Sequence, residues 1–581
     1  MTQEESKANN LNLRKRFARI KSLWSSCKNL ETHLLSNLIR LSLNPRLLEA
    51  VSNAQPRDCR TYIISTRSMS AILIFSGTGF QTYFCTLFET TMNAQRKILR
   101  SIWTTFCFSL ALELTSQTSV VNCQVDRWEL GRRLQRFEIA WELAPTEQRR
   151  KSTQLMQDAV NKFFSLQLRT AARQLDQAWF AVRSVKEPTE FERAAIVYRL
   201  DATPVLADVT QSRLSISLQR FYDVAESMPV ESLITIDVLQ RNGEKLVSDK
   251  FLWSEASEGI QLDLSNLKSG DYIVKASWSY ADERVDLLET MISRVDDLDK
   301  RIGSLKAAAA DRANIENDTV RATVRDYLRL FDAVMQDRIQ ETDYPCNHLI
   351  SVAEGLLENQ SSPSEFVQRM AQQEDLWLTL AEGRKNVVVR LRMPQKVPGE
   401  VMPILFLFHG AGGSENMFFE TYGAGVAVEA GLQRGWLVVA PRQNLNRLGM
   451  NCKELLGVLE DLFSIDRETV AMIGHSMGAG QVIRQASLHP ELFAVAAAIG
   501  GGGRPSNVAD IKDIPWFVAA GEHDFGRNGT RAFNRALEQA AAPNIVYREY
   551  PDVEHMVIVQ AAATDLFQFF DQALTAHKPA K

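Results

Sequence analysis

Ser476 stands in the pentapeptide Gly474-His475-Ser476-Met477-Gly478, directly after the apolar run Val470-Ala-Met-Ile473 and before a stretch compatible with a helix. Glycines on both sides leave room for a sharp strand-to-helix turn, which would hold the serine exposed in a strained backbone conformation. A serine hydroxyl at its free pKa attacks poorly, so the chain must also supply a base and a group that orients that base. Both follow in sequence: Gly521-Glu-His-Asp524 comes after the apolar run Trp516 to Ala520, and Pro551-Asp-Val-Glu-His555 after Asn544 to Tyr550. Asp524 is the candidate orienting acid, with Glu522 competing for the role. His555 is the candidate base; His523 competes, but it adjoins the acid and leaves the base no loop of its own. Acid and base each end a strand, where α/β sheets place their sites.

Negative charge developing on a substrate oxygen needs backbone N–H donors. Phe408-His409-Gly410-Ala411-Gly412-Gly413-Ser414-Glu415 ends an early strand in a glycine-rich loop, and the N–H of Ala411 or Gly410 would pair there with that of Met477. His409 and His475 flank these backbone motifs and are read as shaping turns. His409, His475, His489, His523 and His555 fall in the last third of the chain, with no HxH, HExxH or HxxxH pair, and no CxxC occurs. No metal ligands and no cofactor are therefore assigned. Gly500-Gly-Gly-Gly503 lacks the Lys-Ser/Thr of a phosphate loop and reads as a connection after a strand.

These motifs need a sheet to carry them. Val387 to Arg392, Pro403 to Phe408, Trp436 to Ala440, Val470 to Ile473, Phe493 to Ile499 and Trp516 to Ala520 read as strands alternating with helices. Several are continuous apolar runs, as expected of a mostly parallel sheet with helices on both faces. With the His409-Gly-Ala-Gly-Gly413 loop, Ile465-Asp-Arg467, Gly474-His-Ser-Met-Gly478, Gly521-x-x-Asp524 and His555 in that order, residues 373–581 resemble an α/β-hydrolase of the prolyl-oligopeptidase-like esterase group. That group includes enzymes similar to polyhydroxybutyrate depolymerases and feruloyl esterases. The resemblance implies Ser476, Asp524 and His555 as a catalytic triad, prefers Asp524 over Glu522, and implies an oxyanion hole from the Ala411 and Met477 amides. Ala411 replaces the second glycine of an HGGG-type motif, and Ala479 departs from the paired glycines more usual in relatives.

Upstream of that domain the pattern changes repeatedly. The chain has 581 residues, too many for one compact domain. Residues 1–122 hold 15 basic against 7 acidic residues in a chain whose net charge is −4, so nothing in the overall balance points to nucleic acid. Residues 1–91 read as an N-terminal extension with no domain. From Met92, the basic Arg96, Lys97 and Arg100, the apolar Ser101 to Leu112 and the polar stretch after them follow the order of a signal peptide, so 92–122 is read as a signal-like segment. Translation is then expected to begin functionally at Met92 and the mature protein to be exported, periplasmic or secreted; the competing account is a cytoplasmic protein. The apolar run is too short for a comfortable membrane span.

Helical spacing of Leu130, Leu134, Phe137 and Trp141, then of Val160, Phe163, Leu168, Ala171, Leu175, Ala178 and Val182, predicts a helical hairpin over 123–189. Alternation at Arg213 to Leu218 and Ile234 to Leu239, an Asn242-Gly243 turn and the Leu267-Lys-Ser-Gly-Asp-Tyr272 corner predict a small immunoglobulin-like β-sandwich over 190–282. Val285, Leu288, Ile292 and Val295, and later Val320 to Met335, extend helical spacing through a region assigned to 283–372. The expected function is a serine hydrolase, a carboxylic ester hydrolase acting through an acyl-enzyme. The short connection from Gly500 to Lys512 offers no room for a lid, so an open cleft and bulky or polymer-linked esters are expected, with a polysaccharide or protein contact through the sandwich. The alternatives are a serine peptidase and a binding or scaffold protein with an inactive hydrolase domain.

Overall fold

The computed structural model describes residues 61–66, 69–76, 79–85 and 120–577, apart from 257–258, 311–314, 337–341, 396–399 and 444–447, with side chains described from Arg127 onward. The chain divides at Leu114 into two compact units. In the first, β1 (Thr61–Thr66), β2 (Met69–Ser76) and β3 (Gly79–Cys85) form an antiparallel meander, with Ile63 opposite Ile72 and Ile72 opposite Tyr83. The signal-like segment lies outside the described residues up to position 119.

The second unit begins with α1 (Val120–Leu143), α2 (Thr146–Phe164) and α3 (Leu168–Arg183). These are three helices where the spacing predicts two. The break expected between the two stripes falls at Ala144-Pro145, and the additional one falls at Ser165 to Gln167, inside the second stripe, where Leu166 takes φ 58°. Leu130, Leu134, Phe137 and Trp141 of α1 are buried, as are Leu168, Ala171, Leu175, Ala178 and Val182 of α3, so the predicted apolar stripes do face the core.

Two small sheets follow. One comprises β4 (Tyr198–Thr203), β6 (Arg213–Arg220) and β9 (Ile260–Asp263). The other runs in the order β5 (Leu206–Asp208), β12 (Thr290–Val295), β10 (Gly270–Tyr280), β7 (Leu233–Gln240) and β8 (Lys245–Leu252), with β11 (Glu283–Asp286) on β10. Their buried side chains, Leu214, Ile216 and Ile260 from one and Ile236, Val274 and Trp278 from the other, lie in one core. The Tyr272 hydroxyl donates to the Lys268 carbonyl at 2.9 Å, fixing the corner into β10. The helical reading of 283–295 fails: these residues are β11 and β12, and β12 pairs with β10 from Gly270↔Arg294 to Val274↔Thr290. Spacings of three and four among Val285, Leu288, Ile292 and Val295 imitate a helix, but sheet pairing overrides them. The helices start at α4 (Leu298–Ala310) and continue with α5 (Asp318–Met335), α6 (Cys346–Glu358) and α7 (Ser364–Gln373).

The eight-stranded sheet carries the predicted chemistry. Its order is β13 (Leu376–Glu382), β14 (Lys385–Arg392), β16 (Leu437–Pro441), β15 (Met402–Phe408), β17 (Ile465–His475), β18 (Val495–Ile499), β19 (Trp516–Gly521) and β20 (Ile545–Tyr550). β14 runs antiparallel to both neighbours, and every pairing from β16 to β20 is parallel. A second strand antiparallel to the rest and a third and fourth exchanged in order make the α/β-hydrolase topology. β13 is an edge strand absent from the strands read in the sequence, which begin at Val387. Along β15, Ile404, Phe406 and Phe408 enter one core and Leu405 and Leu407 the other, so both faces are covered. The core containing Leu405 is shared with α1 to α3 and the two small sheets; the core containing Phe406 is shared with α4 to α7. Among the described residues no helix is long and apolar enough to cross a membrane.

Candidate active site

The turn from β17 into α8 (Met477–Leu488) holds Ser476 at φ 57°, ψ −114°, a conformation that costs a non-glycine residue about 1–3 kcal/mol. Its N–H is fixed by the Ile499 carbonyl at 2.8 Å. A Cβ on Gly474 would sit 2.2 Å from the Gly478 carbonyl oxygen, and one on Gly478 would sit 1.9 Å from that of Phe408, so only glycine lets α8 lie this close to β15 and β17. The strained serine is thereby locked by strands on either side.

His555, in the loop after β20, places Nε2 3.0 Å from Ser476 Oγ. Its Nδ1 lies 2.7 Å from Asp524 Oδ1, in the loop after β19. Asp524 Oδ1 also accepts the Gly526 N–H at 2.6 Å. Asp524 and His555 are buried, whereas Glu522 is exposed and accepts the Asp552 N–H at 3.3 Å. His523 is exposed too, and its carbonyl accepts from Gln157. Of the competing pairs, the structure brings Asp524 and His555 to Ser476. This line lets a hydroxyl pass its proton to an imidazole whose opposite nitrogen donates to a carboxylate.

The loop after β15 is organised by side chains outside the sequence motifs. Gly410 N–H donates to Tyr422 Oη at 3.2 Å, Tyr422 Oη lies 2.7 Å from His475 Nδ1, and His475 Nε2 lies 2.8 Å from the His555 carbonyl oxygen. With His475 neutral, donor directions agree along this chain when its proton is on Nε2 and the Tyr422 hydroxyl donates to Nδ1; Tyr422 Oη also lies 3.2 Å from Met417 Sδ. Burial, and then the neighbouring His555, hold the His475 pKa well below the ordinary imidazole value. His409 acts similarly on its own turn: Nε2 accepts the Gln443 N–H at 3.1 Å, leaving Nδ1 to donate to Gly410 O at 2.8 Å. With Gly410 committed to Tyr422, Ala411 is the next loop amide, and Met477 opens α8 directly after Ser476.

Tyr422 opens a segment in which Tyr422, Gly423, Ala424 and Gly425 all have positive φ, before α-helical geometry resumes up to Gln433. Glu138 of α1 accepts the Gly423 N–H at 3.1 Å. Burial pushes the Glu138 carboxyl up to about 8, and its other oxygen, Oε1, has no hydrogen-bond partner. Further bonds tie the upstream helices to the loops of the acid and base: Thr153 Oγ1 donates to Asp552 O at 2.7 Å, and Gln157 Nε2 to His523 O at 2.8 Å. Gln560 Nε2 also reaches Glu138 O at 3.0 Å.

The expected open cleft is narrowed by helices from upstream of the sheet, and what remains is partly open. A cavity of about 170 Å³ beside Ser476 and His555 is walled by Leu130 and Leu134 of α1, Met156, Ala159 and Phe163 of α2 and Leu175 of α3, as well as by the loop Gly410–Ser414. Phe163 comes so close that a Cβ on Gly412 would lie 3.0 Å from its ring. The roof comes from upstream of the sheet, so the shortness of the Gly500–Lys512 connection says nothing of it. The Phe525 ring stands 3.8 Å from that of His555 and packs edge-on against Phe164 of α2 at 5.9 Å, with 60% of the residue exposed. Glu522, His523 and Asp552 bring ligand atoms within 4.8 Å of one another at the surface, away from Ser476 Oγ, and are given no role.

No family model and no curated protein matches the chain. Solved structures do. An S-formylglutathione hydrolase from Agrobacterium tumefaciens is 15% identical, covering 34% of this chain and 94% of its own, with a TM-score of 0.29. The feruloyl esterase module from Clostridium thermocellum is 15% identical over 34% of this chain and 87% of its own, also at 0.29. A thermostable esterase is 18% identical over 63% of this chain and 95% of its own, at 0.31. These similar structures are esterases of the α/β-hydrolase type, and two of the three align with only about a third of the chain.

Proposed function

We propose that the chain is a serine hydrolase of carboxylic esters. The observation that carries this reading is the hydrogen-bonded line from Ser476 Oγ through His555 to Asp524 at the carboxyl ends of three strands. His555 removes the Ser476 proton as Oγ bonds to the ester carbonyl carbon, and Asp524 holds the imidazole and stabilises its charged form. The Ala411 and Met477 amides donate to the oxyanion. When the bond to the alcohol oxygen breaks, His555 returns the proton to that oxygen, leaving an acyl-enzyme. A water, deprotonated by the same imidazole, then releases the acid and restores Ser476. No metal or cofactor enters these steps.

Bulky or polymer-linked substrates fit this reading only with the bulk on the alcohol side, because α1 to α3 occupy the space above the serine. The two small sheets are read as an immunoglobulin-like sandwich, supported by the Tyr272 corner, and as the surface that meets a polysaccharide or protein. Export is proposed from the segment after Met92; N-terminal sequencing of the native protein tests it, with a first residue between Ser116 and Gln124 expected and an intact Met1 contradicting it. The esterase reading is tested with a fluorophosphonate probe: labelling is expected at Ser476 and lost in Ser476→Ala. Undiminished labelling of that variant would refute the assignment.

A further inference from the structure

Any ester at this serine must divide its two halves between two sides. The proton held by His555 Nε2 has to reach the leaving oxygen, so the alcohol lies on the His555 side. The carbonyl oxygen must face the Ala411 and Met477 amides, which turns the acyl half toward the loop Gly410–Ser414 and the cavity beside it. Most of that cavity's wall is apolar, with Leu130, Leu134, Met156, Ala159, Phe163 and Leu175 contributed by α1, α2 and α3, while Arg127 of α1 and Glu420 bring charge to its lining.

We infer that α1 to α3 build an acyl-binding pocket, and that the enzyme selects esters of unbranched, apolar acids of about six to eight carbons. This rests on the esterase reading and adds the substrate class. The length follows from volume: a dry cavity of about 150 Å³ holds a six-carbon ring, and this one measures about 170 Å³. The chemistry follows from the walls. Against leucine, methionine and phenylalanine a charged or hydroxylated acyl group would lose its hydration, with polar partners offered only where Arg127, Ser414, Asn416, Glu420 and Thr421 reach the lining, while each methylene buried there multiplies transition-state binding by about four. Thr153 and Gln157 donate to the loops of the base and the acid, and Glu138 accepts from Gly423 beside Tyr422, which holds the pocket in register with the serine. The residues outside the hydrolase sheet are thus part of its specificity.

The test is a series of p-nitrophenyl esters from acetate to dodecanoate on the full chain, with kcat/KM as readout. The value rises about fourfold per methylene as far as six to eight carbons and then stops rising. Ala159→Phe, which fills the cavity from α2, lowers the octanoate-to-acetate ratio at least about tenfold. Leu134→Ala, which enlarges it, moves the maximum to longer chains by about two carbons. A wild-type profile that is flat or falls from acetate onward overturns the inference, whatever the variants do; so does an unchanged ratio in both folded variants. Fluorophosphonate labelling in the same samples separates the two levels. A protein that labels at Ser476 without chain-length preference refutes the pocket alone, and one that does not label refutes the esterase reading beneath it.

Discussion

The Tyr422 hydroxyl lies 2.7 Å from Nδ1 of His475, and this one contact couples the loop that carries Gly410 to the loop that carries His555. Tyr422→Phe removes the hydroxyl's contacts to Gly410, His475 and Met417 Sδ and leaves a buried imidazole nitrogen and the Gly410 N–H without partners, each costing about 1–3 kcal/mol. As a positioning residue it should act on the transition state. We expect kcat for a p-nitrophenyl ester to fall by about ten- to a hundredfold with KM little changed, measured by steady-state kinetics. An unchanged kcat would show that the two loops hold themselves.

The carboxylates are separable by substitution. Asp524→Asn should lower ester turnover at least about a thousandfold, because the imidazole loses the partner that fixes its tautomer. Glu522, exposed and bonded only to the Asp552 amide, should tolerate Glu522→Gln within about threefold. If Glu522→Gln proves the more damaging change, the orienting acid is misassigned.

Glu138 makes stability depend on pH. Burial raises its carboxyl from 4.5 to about 8 in the folded protein. Below 4.5 both folded and unfolded chains hold the proton; between 4.5 and 8 the folded chain alone does, so its stability falls as pH rises through that window. Burial raises Glu129 and Glu554 to about 7, and they act in the same direction. Glu138→Gln keeps an acceptor for Gly423 and cannot ionise. Its Tm should therefore match or fall below the wild type near pH 5 and exceed it at pH 9, in thermal melts across that range. Parallel curves for the two proteins would contradict the assignment.

Asp176 of α3 anchors the roof. It accepts from Arg133 Nη1 at 2.9 and 3.1 Å and from the Tyr222 hydroxyl at 2.6 Å, all in the interior. Asp176→Ala takes the shared carboxylate from both Arg133 and Arg136 and should cost about 3–5 kcal/mol in urea unfolding, since breaking a buried pair leaves uncompensated charge. A loss below about 1 kcal/mol would mean that the neighbouring Glu129 carries Arg133 alone.

The hydrolase sheet and the residues that meet at its edge are legible because each motif is local. Gly474 to Gly478, Gly521 to Asp524 and Pro551 to His555 each follow a single strand, and chain order alone ranks them. Tyr422 and Glu138 are not legible, since their partners are distant in sequence: Glu138 meets Gly423 from 285 residues away. The roof is missed for the same reason. The stripe of Leu130, Leu134 and Leu175 predicts burial correctly, but periodicity names a buried face without naming what covers it. At 283–295 the period itself misleads, because a six-residue strand is too short for spacing to outvote cross-strand pairing.

The central claim is that Ser476 carries the acyl group during turnover. Rapid quenching of the enzyme with p-nitrophenyl octanoate in acid, followed by proteolysis and mass spectrometry, reads this directly. The account predicts an octanoyl adduct on the peptide containing Ser476, formed in a burst of p-nitrophenol equal to the enzyme concentration and absent from Ser476→Ala. Turnover with no adduct on Ser476, or an adduct on another residue that persists in Ser476→Ala, would contradict it.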